Sequence, residues 1–294
     1  PGALKGGRSV TAAPYDGRRL GPWIDKLRPP LDVASLWGMG LASGADIGHF
    51  FKATRKPRSG LYAAGRLVRH FRDLALHRRG MHLVNGNALV ARLLRSALDL
   101  GVSMMEQAPA KELLQNGDRV VGARLGNEGG DTIVHAARGV VLATGGFPHD
   151  RDRLTALAGS AGGGEGHFSA APSSNTGDGL RLGETVGATV SADLASAMAL
   201  APVSLVTRPD GSVAHFPHLI ERAKPGIIAV NASGRRFVNE ADSYHDFTKA
   251  LLDATPQASP PVAWLIADHR GQRRWGLGWA KPFPFPLGPA IRSG

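Results

Sequence analysis

Three patterns of apolar and polar positions follow one another along the middle of this chain. In "NGNALVARLLRSALDLG", Leu89, Leu93, Leu94, Ala97 and Leu98 recur at helical spacing, with Asn85 and Asn87 as candidate N-caps and Gly101 as the stop. Val102 then opens a short strand. "AKELLQNGDRVVGARLGNEGGDTIVH" continues as strands broken at Asn116-Gly117 and Gly129-Gly130, both hairpin signals, so a β-meander is expected. The third pattern is "GVVLATGGF", where Val140 to Ala143 are all apolar; that predicts a strand covered on both faces, as in a parallel sheet between helices. It ends on Thr144-Gly145-Gly146. Ligands bind at the carboxyl ends of such strands, and a backbone without Cβ atoms can approach a flat or phosphorylated group closely.

The flanking segments are less regular. Residues 1 to 64 read as loop with short elements. Gly38-Met39-Gly40 and Gly44 imitate a dinucleotide-binding loop, but Pro29-Pro30 upstream and Asp46 and Gly48 downstream deny it the strand and helix it needs. Leu67, Phe71 and Leu74 share one helical face and Arg66, Arg69 and Arg72 fall elsewhere, which predicts a surface helix with its arginines in solvent. Beyond the third pattern, "LAGSAGGGEGHFSAAPSS" reads as a mobile loop. Asn175-Thr176-Gly177-Asp178-Gly179 then leads into a helix stopped at Gly187, and loop glycines before a helix start offer backbone N–H groups and the positive dipole end to anions. From Ala201 the pattern predicts a hairpin turn within 206 to 211, "GIIAVN" as a buried strand, a turn at Ser233-Gly234, "RRFVN" as a strand, and a helix from Asp242 or Ser243.

Composition narrows the class. With 294 residues, 43% hydrophobic and 20% charged, the chain has the makeup of a globular protein with one or two domains. It contains no cysteine and no apolar run of membrane-spanning length, so disulfides, thiolate metal sites and a membrane span are not expected, and the cytoplasm is the default compartment. The net charge of +11 is concentrated between Lys52 and Arg95, where eleven Lys and Arg face Asp73 alone. Such a belt can attract nucleic acid, which makes a non-catalytic binding protein one alternative reading, although a solvated arginine face accounts for it and no nucleic-acid partner is assigned.

"NGNALVARLL", "GVVLATGGF", "NTGDGL" and "PGIIAVNASGRRFVNEADSYHDF" stand in one order. Together they resemble the FAD-dependent oxidoreductase family that includes fumarate reductase and succinate dehydrogenase flavoproteins and the 3-ketosteroid dehydrogenases. The resemblance implies an α/β fold: a partial Rossmann-like FAD-binding domain with a β-meander over residues 1–199, then part of an α+β capping domain over 200–294. It implies FAD as cofactor, lying against Ala143, Thr144, Gly145, Gly146, Thr176, Gly177, Asp178 and Gly179. The family's first glycine loop and its C-terminal flavin segment have no match here, so the sequence looks like the middle of a flavoenzyme, expected to bind FAD poorly when isolated.

The cap carries the implied chemistry. Hydride exchange with a flavin needs a partner that moves a proton at the neighbouring carbon. Fumarate reductases place an arginine four residues after the glutamate of the N-E pair; here that position is Tyr244, as in ketosteroid dehydrogenases. The departure points away from dicarboxylates, the alternative substrate class, toward an apolar small molecule of ketosteroid type, with an unknown electron acceptor. A phenol suits the task, and Arg235, Arg236 and His245 are near enough in sequence to lower its pKa. Tyr244 can equally be a packing residue at a helix start. Glu221 and Arg222 read either as a proton relay, Glu221 near the family's relay acid, or as a surface ion pair, with His215 and His218 as a turn pair. No metal is assigned, because His, Asp and Glu never reach a ligand spacing.

Overall fold

The computed structural model describes residues 11–31, 35–127, 129–163, 166–191, 198–208, 210–256, 259–283 and 285. These fall into two compact units, one ending at Met104 and including the described residues from Pro282, the other Met105–Lys281.

In the first unit, β1 (Tyr15–Asp16) pairs antiparallel with β4 (His82–Leu83), and β2 (Ser35–Leu36) forms a hairpin with β3 (Met39–Gly40). The glycine run that imitates a nucleotide loop is this hairpin: Trp37 and Gly38 both have positive φ, 52° and 79°, the requirement of a type I′ turn. Helices α1 (Ala45–Phe51), α2 (Pro57–His77) and α3 (Asn85–Asp99) complete the unit. Tyr15, Leu20 and Ile24 pack with Met81, Leu83, Ala88 and Ala91 as its core.

Both of these long helices correct the pattern reading. In α2 the buried face is the polar one, Ser59, Ala63, Arg66, His70 and Asp73, while Phe71 is half exposed and Leu67 and Leu74 are only partly covered. The arginines are therefore not all in solvent. Arg66 Nη1 meets Asp46 Oδ1 at 2.5 Å, and Asp46 also accepts from Tyr62 Oη at 2.8 Å and from the Ala42 amide at 2.7 Å. Asp73 accepts from Arg18 at 2.6 Å and from the Met81 amide at 3.2 Å. Partners on neighbouring segments, which a helical wheel does not see, draw this face inward. In α3, Ala88 and Ala91 are buried while Leu89 and Leu93 are exposed, and Leu94, Ala97 and Leu98 lie between. Ala88 and Ala91 join Tyr15 and Leu20 in the core, with Leu94 packed against it. Asn85 and Asn87 are not caps: Val84 is the N-cap, and the two amides donate to Leu41 O at 2.8 Å and Arg28 O at 2.7 Å.

The second unit opens with the meander β5 (Ala110–Asn116), β6 (Arg119–Asn127) and β7 (Gly130–His135), turning where the Asn-Gly and Gly-Gly pairs placed it. No strand starts at Val102. None forms at Val140 to Ala143 either; Val141 is 89% exposed. A doubly covered strand needs hydrogen-bonded neighbours, and none of the described strands lies beside this segment; every described strand pair is antiparallel. Helix α4 (Arg151–Gly163) occupies part of the stretch read as loop, and α5 (Asp178–Thr185) starts within the T-G-D-G run, with Gly177 as its N-cap. Then come the hairpin β8 (Val203–Thr207) and β9 (Val213–Pro217), β10 (Ile227–Asn231), α6 (Tyr244–Asp253), β11 (Ala263–Ala267), antiparallel to β10, and α7 (His269–Trp275). Pro209, within the first hairpin turn, lies outside the described residues.

Strand β10 is buried on one face only: Ile227 and Ala229 are covered, Ile228 is 43% exposed. "RRFVN" contributes a single bridge, Arg236 to Val230, and not a strand. What holds it is Glu240, buried beneath, which accepts from the Ala229 amide at 2.8 Å and from Arg236 Nη2 at 2.6 Å. Burial pushes the Glu240 carboxyl up, but the bonds from Arg236 and Ala229 outweigh it and hold the group below the ordinary range.

Two outcomes are expected. Asp46→Ala strands the buried Arg66 cation and should cost about 3–5 kcal/mol, read as a fall in the urea midpoint. For Glu240 the folded pKa lies below the unfolded one, so its stabilisation is full above roughly pH 4.3 and disappears as pH falls through the lowered folded value. Glu240→Gln should therefore be less stable at neutral pH and flatter on the acid limb, measured as urea midpoints across a pH series.

Candidate functional site

The two glycine-bearing loops meet. The Gly177 amide donates to Gly146 O at 3.3 Å, and the His149 amide donates to Asn175 O at 3.1 Å, tying Thr144 to Asp150 against Asn175 to Gly179. The two glycines of the first loop differ in what they serve. Gly145 has φ of 91°, and a Cβ there would lie 2.8 Å from Asn175 Oδ1, so the protein itself demands glycine. Gly146 has ordinary φ and its imagined Cβ finds nothing nearer than Pro148 Cδ at 3.7 Å. Neither is sealed in the core: Ala143 to Gly146 are exposed. In the second loop Thr144 Oγ1 packs directly on Gly179, which leaves no room for a side chain there.

A charged clamp, absent from the motif reading, sets this geometry. Arg181 donates to Thr176 O at 2.6 Å, to Asp178 Oδ1 at 2.7 Å and to Asp150 Oδ2 at 2.7 Å. Arg153 grips Glu184 in parallel bonds of 3.0 and 2.8 Å, which holds the Glu184 carboxyl below its usual range. The Asp178 carboxylate also faces Thr176 Oγ1 at 3.2 Å. Its charge is thus turned into the loop, while the Asp178 and Gly179 amides head the first turn of α5, ahead of the Leu180 and Arg181 amides that bond Gly177 O. An exposed glycine corner beside a helix start with its acid neutralised fits a phosphorylated cofactor of the FAD type. Helical spacing exposes one contact of the clamp, since Asp178 and Arg181 lie three apart, but not the Asp150 contact.

The same unit carries an open cavity of about 1180 Å3, lined by side chains such as Phe147, Phe168, Leu200, Phe247 and Trp264, with Ser204, His218 and Arg222 among its polar groups. Arg222 and Glu221 are not a surface ion pair. Arg222 is 2% exposed; its Nε donates to His218 O at 3.0 Å, Nη2 to Asp242 O at 2.7 Å and Nη1 to Glu240 O, and its guanidinium lies 5.0 Å from the Phe247 ring centroid. Burial draws its pKa down while the carboxylates of Glu221, Asp242 and Glu240 oppose the shift. Glu221 instead turns to His218, Oε1 to Nδ1 2.5 Å, and His218 Nε2 lies 2.6 Å from Ser204 Oγ. His215 and His218 are no turn pair either, because His215 bonds Ser169 O at 2.7 Å.

Tyr244 begins α6, behind the Ser243 cap, and is 44% exposed, with no hydrogen-bond partner for its hydroxyl among the described residues. Phe247, Thr248 and Leu251 of the same helical face line the cavity, so Tyr244 stands one turn beyond them. Two of the three groups proposed to tune it are engaged: Arg236 on Glu240, and His245 Nδ1, which accepts from the Leu200 amide at 3.2 Å.

The glycine pair supplies a test. Gly145→Ala should destabilise the chain by about 1–3 kcal/mol through forced φ and collision, whereas Gly146→Ala should change it by less than about 0.5 kcal/mol. Equal losses in denaturation midpoint would refute the division of roles.

Comparison with known proteins bears on this geometry. The family model described as the FAD binding domain matches residues 3–281. The chain is 34% identical over 295 residues to a 4-oxocyclohex-2-ene-1-carboxylate 5-dehydrogenase of Sinomonas cyclohexanicum, covering 100% of this chain and 50% of that protein. It is 28% identical to a 3-oxosteroid 1-dehydrogenase of Mycolicibacterium smegmatis, covering 96% and 49%. The solved 3-ketosteroid delta1-dehydrogenase from Sterolibacterium denitrificans, in complex with 1,4-androstadiene-3,17-dione, superposes with a TM-score of 0.76 at 28% identity, covering 95% of this chain and 50% of that one. The chain spans about half the length of these relatives. Its mixed helices and strands are thus those of an α/β flavoprotein fold, and the chain belongs to the FAD-binding-domain family.

Proposed function

We propose that this chain is part of an FAD-dependent dehydrogenase that moves a hydride between flavin and a carbon–carbon bond next to a carbonyl, in a cyclic ketone of ketosteroid or oxocyclohexane type. The observation that carries the reading is the apolar cavity of about 1180 Å3 with α6 in its wall. Its size and lining suit a ring system of several carbons and few polar atoms. The relatives' names, oxosteroid and oxocyclohexene dehydrogenases, support the same substrate chemistry.

FAD, when bound, supplies a two-electron, hydride-exchanging ring system. The chain's part is to hold it and to handle the proton. Gly146 and the Asp178 and Gly179 amides would hold the cofactor's polar groups, with Gly177 tying the two loops together and Arg181 keeping the loop in shape. Tyr244 Oη, as the phenolate left once its own proton has passed to solvent, takes the proton from the carbon adjacent to the carbonyl, a position made acidic by enolate resonance. Its exposed place at the helix start leaves the phenol open to substrate on one side and to solvent on the other. Arg222, with every nitrogen on a backbone carbonyl, positions the segment leading to Tyr244 and is not offered to a substrate carboxylate. That argues against the dicarboxylate alternative.

In the flavin-loaded enzyme, Tyr244→Phe should lower kcat on a 3-ketosteroid by about 10²–10⁴-fold with little change in KM, followed with an artificial electron acceptor. Unchanged kcat would remove Tyr244 from the chemistry. Turnover of fumarate with none of any cyclic ketone would overturn the substrate class. Gly146→Ala should weaken FAD binding roughly tenfold, about 1.4 kcal/mol, seen by flavin fluorescence titration.

A further inference from the structure

Ser204, His218 and Glu221 form a hydrogen-bonded line that ends in the cavity wall. Ser204 is an exposed residue of β8, and its Oγ lies 2.6 Å from His218 Nε2. His218 Nδ1 lies 2.5 Å from Glu221 Oε1, and the Ile220 amide donates to Oε2 at 3.4 Å. Burial pushes the Glu221 carboxyl toward its neutral form, but the bond from His218 prevails and keeps the group below its ordinary range. A carboxylate only accepts, so Nδ1 carries the ring proton.

The neutral imidazole has one N–H, committed here at Nδ1, and Nε2 is left as an unprotonated acceptor. At 2.6 Å a bare Nε2 and a lone pair of Oγ would repel each other, so the Ser204 proton lies between them. The ring is held where it is. The His218 amide donates to Pro202 O at 2.9 Å, its carbonyl receives Arg222 Nε at 3.0 Å, and the Phe216 ring packs edge-on with centroids 5.3 Å apart. On another side lies Gly278, where a Cβ would sit 3.0 Å from His218 Cε1. With its proton on Nε2, Ser204 Oγ has only lone pairs to offer a ligand.

An acceptor at the edge of an apolar cavity calls for a donor on the ligand. Two polar side chains of the same wall have their own donors turned to the backbone: Arg222 to the His218, Glu240 and Asp242 carbonyls, and Thr248 Oγ1 to Tyr244 O at 2.8 Å. The ligand must therefore bring the proton. We propose that Ser204 is the acceptor that selects a hydroxyl group on the cyclic ligand of this cavity, with His218 and Glu221 as the positioning residues that hold its own proton back. This role rests on the ketone reading given above and adds to it a second polar group on the substrate, a ring alcohol apart from the carbonyl. A ketone oxygen at the same place would set lone pair against lone pair and is disfavoured. No covalent bond is made or broken: the alcohol proton stays on the ligand and the Ser204 proton on Oγ.

The test uses the full chain at about pH 8, where imidazole is neutral, and two ligands of one skeleton, 2-decalol and 2-decalone. Each has a single oxygen, which the small bicycle can turn toward any part of the wall. Dissociation constants come from titration calorimetry, and the readout is the ratio of the ketone constant to the alcohol constant. In Ser204→Val that ratio should fall about three- to tenfold, the worth of one net hydrogen bond, with the ketone constant unchanged. Ser204→Thr, of the same shape as the valine variant but with a hydroxyl, should keep the parent ratio. Circular dichroism of each variant must match the parent. In the parent chain labelled with nitrogen-15 histidine, NMR should show His218 with Nδ1 protonated and Nε2 bare, the signals assigned by their loss in His218→Gln. A ratio unmoved by Ser204→Val while both ligands bind overturns the selection by Ser204 and leaves the ketone reading standing. A proton found on His218 Nε2 overturns it as well, whatever the variants do. Failure of both decalins to bind overturns both readings.

Discussion

The second unit depends on one buried cation. Among the described residues Arg222 has no carboxylate in direct contact; it spends its guanidinium on the carbonyls of His218, Glu240 and Asp242 and on the face of Phe247. Removing such a charge from water costs several kcal/mol unless hydrogen bonds replace its hydration. Backbone carbonyls do so here, and the consequence is geometric. One side chain fixes the segment carrying the His218 ring, the turn after Glu240 and the approach to α6. The segments carrying His218 and Tyr244, on different elements, are held by the same guanidinium.

A similar logic explains where pattern reading failed in the first unit. Counting apolar residues on α2 turned the helix the wrong way round, because the buried face is bought with Asp46 and Asp73, which meet arginines from distant segments. Hydrophobic period reports burial only when burial is apolar. In α3 the error had another source: Ala88 and Ala91 are the fully buried residues of the contact face and Leu94 packs beside them, while Leu89 and Leu93 point away. The meander was legible for the opposite reason. Asn-Gly and Gly-Gly turns carry their conformational demand within two residues, needing no partner elsewhere in the chain.

The site divides in the same way. The glycine loops could be read from sequence because a missing side chain is itself the signal, and their meeting at Gly146 and Gly177 is what an A-T-G-G and T-G-D-G pair implies in the family they resemble. The Arg181 clamp was hidden, since Asp150 comes to it from 31 residues away. The Ser204 line was hidden more deeply. Ser204 belongs to a strand whose neighbour in the ladder is Phe216, so a one-residue slip of β8 on β9 would turn its hydroxyl to the opposite face. Nothing in "APVSLVT" announces that register.

The unformed strand at Val140 to Ala143 brings these strands of argument together. Its apolar run was read as evidence of covering layers, yet Val141 stands 89% exposed and the glycine corner after it is intact. Corner and strand are therefore separable. The corner is set by Asn175, Thr144 and the Arg181 clamp, all local to the two loops, whereas the strand requires hydrogen-bonding neighbours that the described residues do not place beside it. A site of this kind keeps its shape through short-range polar contacts even where the described residues form no sheet to support it, and this is why motif and architecture can disagree within the nine residues of "GVVLATGGF" without the functional reading being lost.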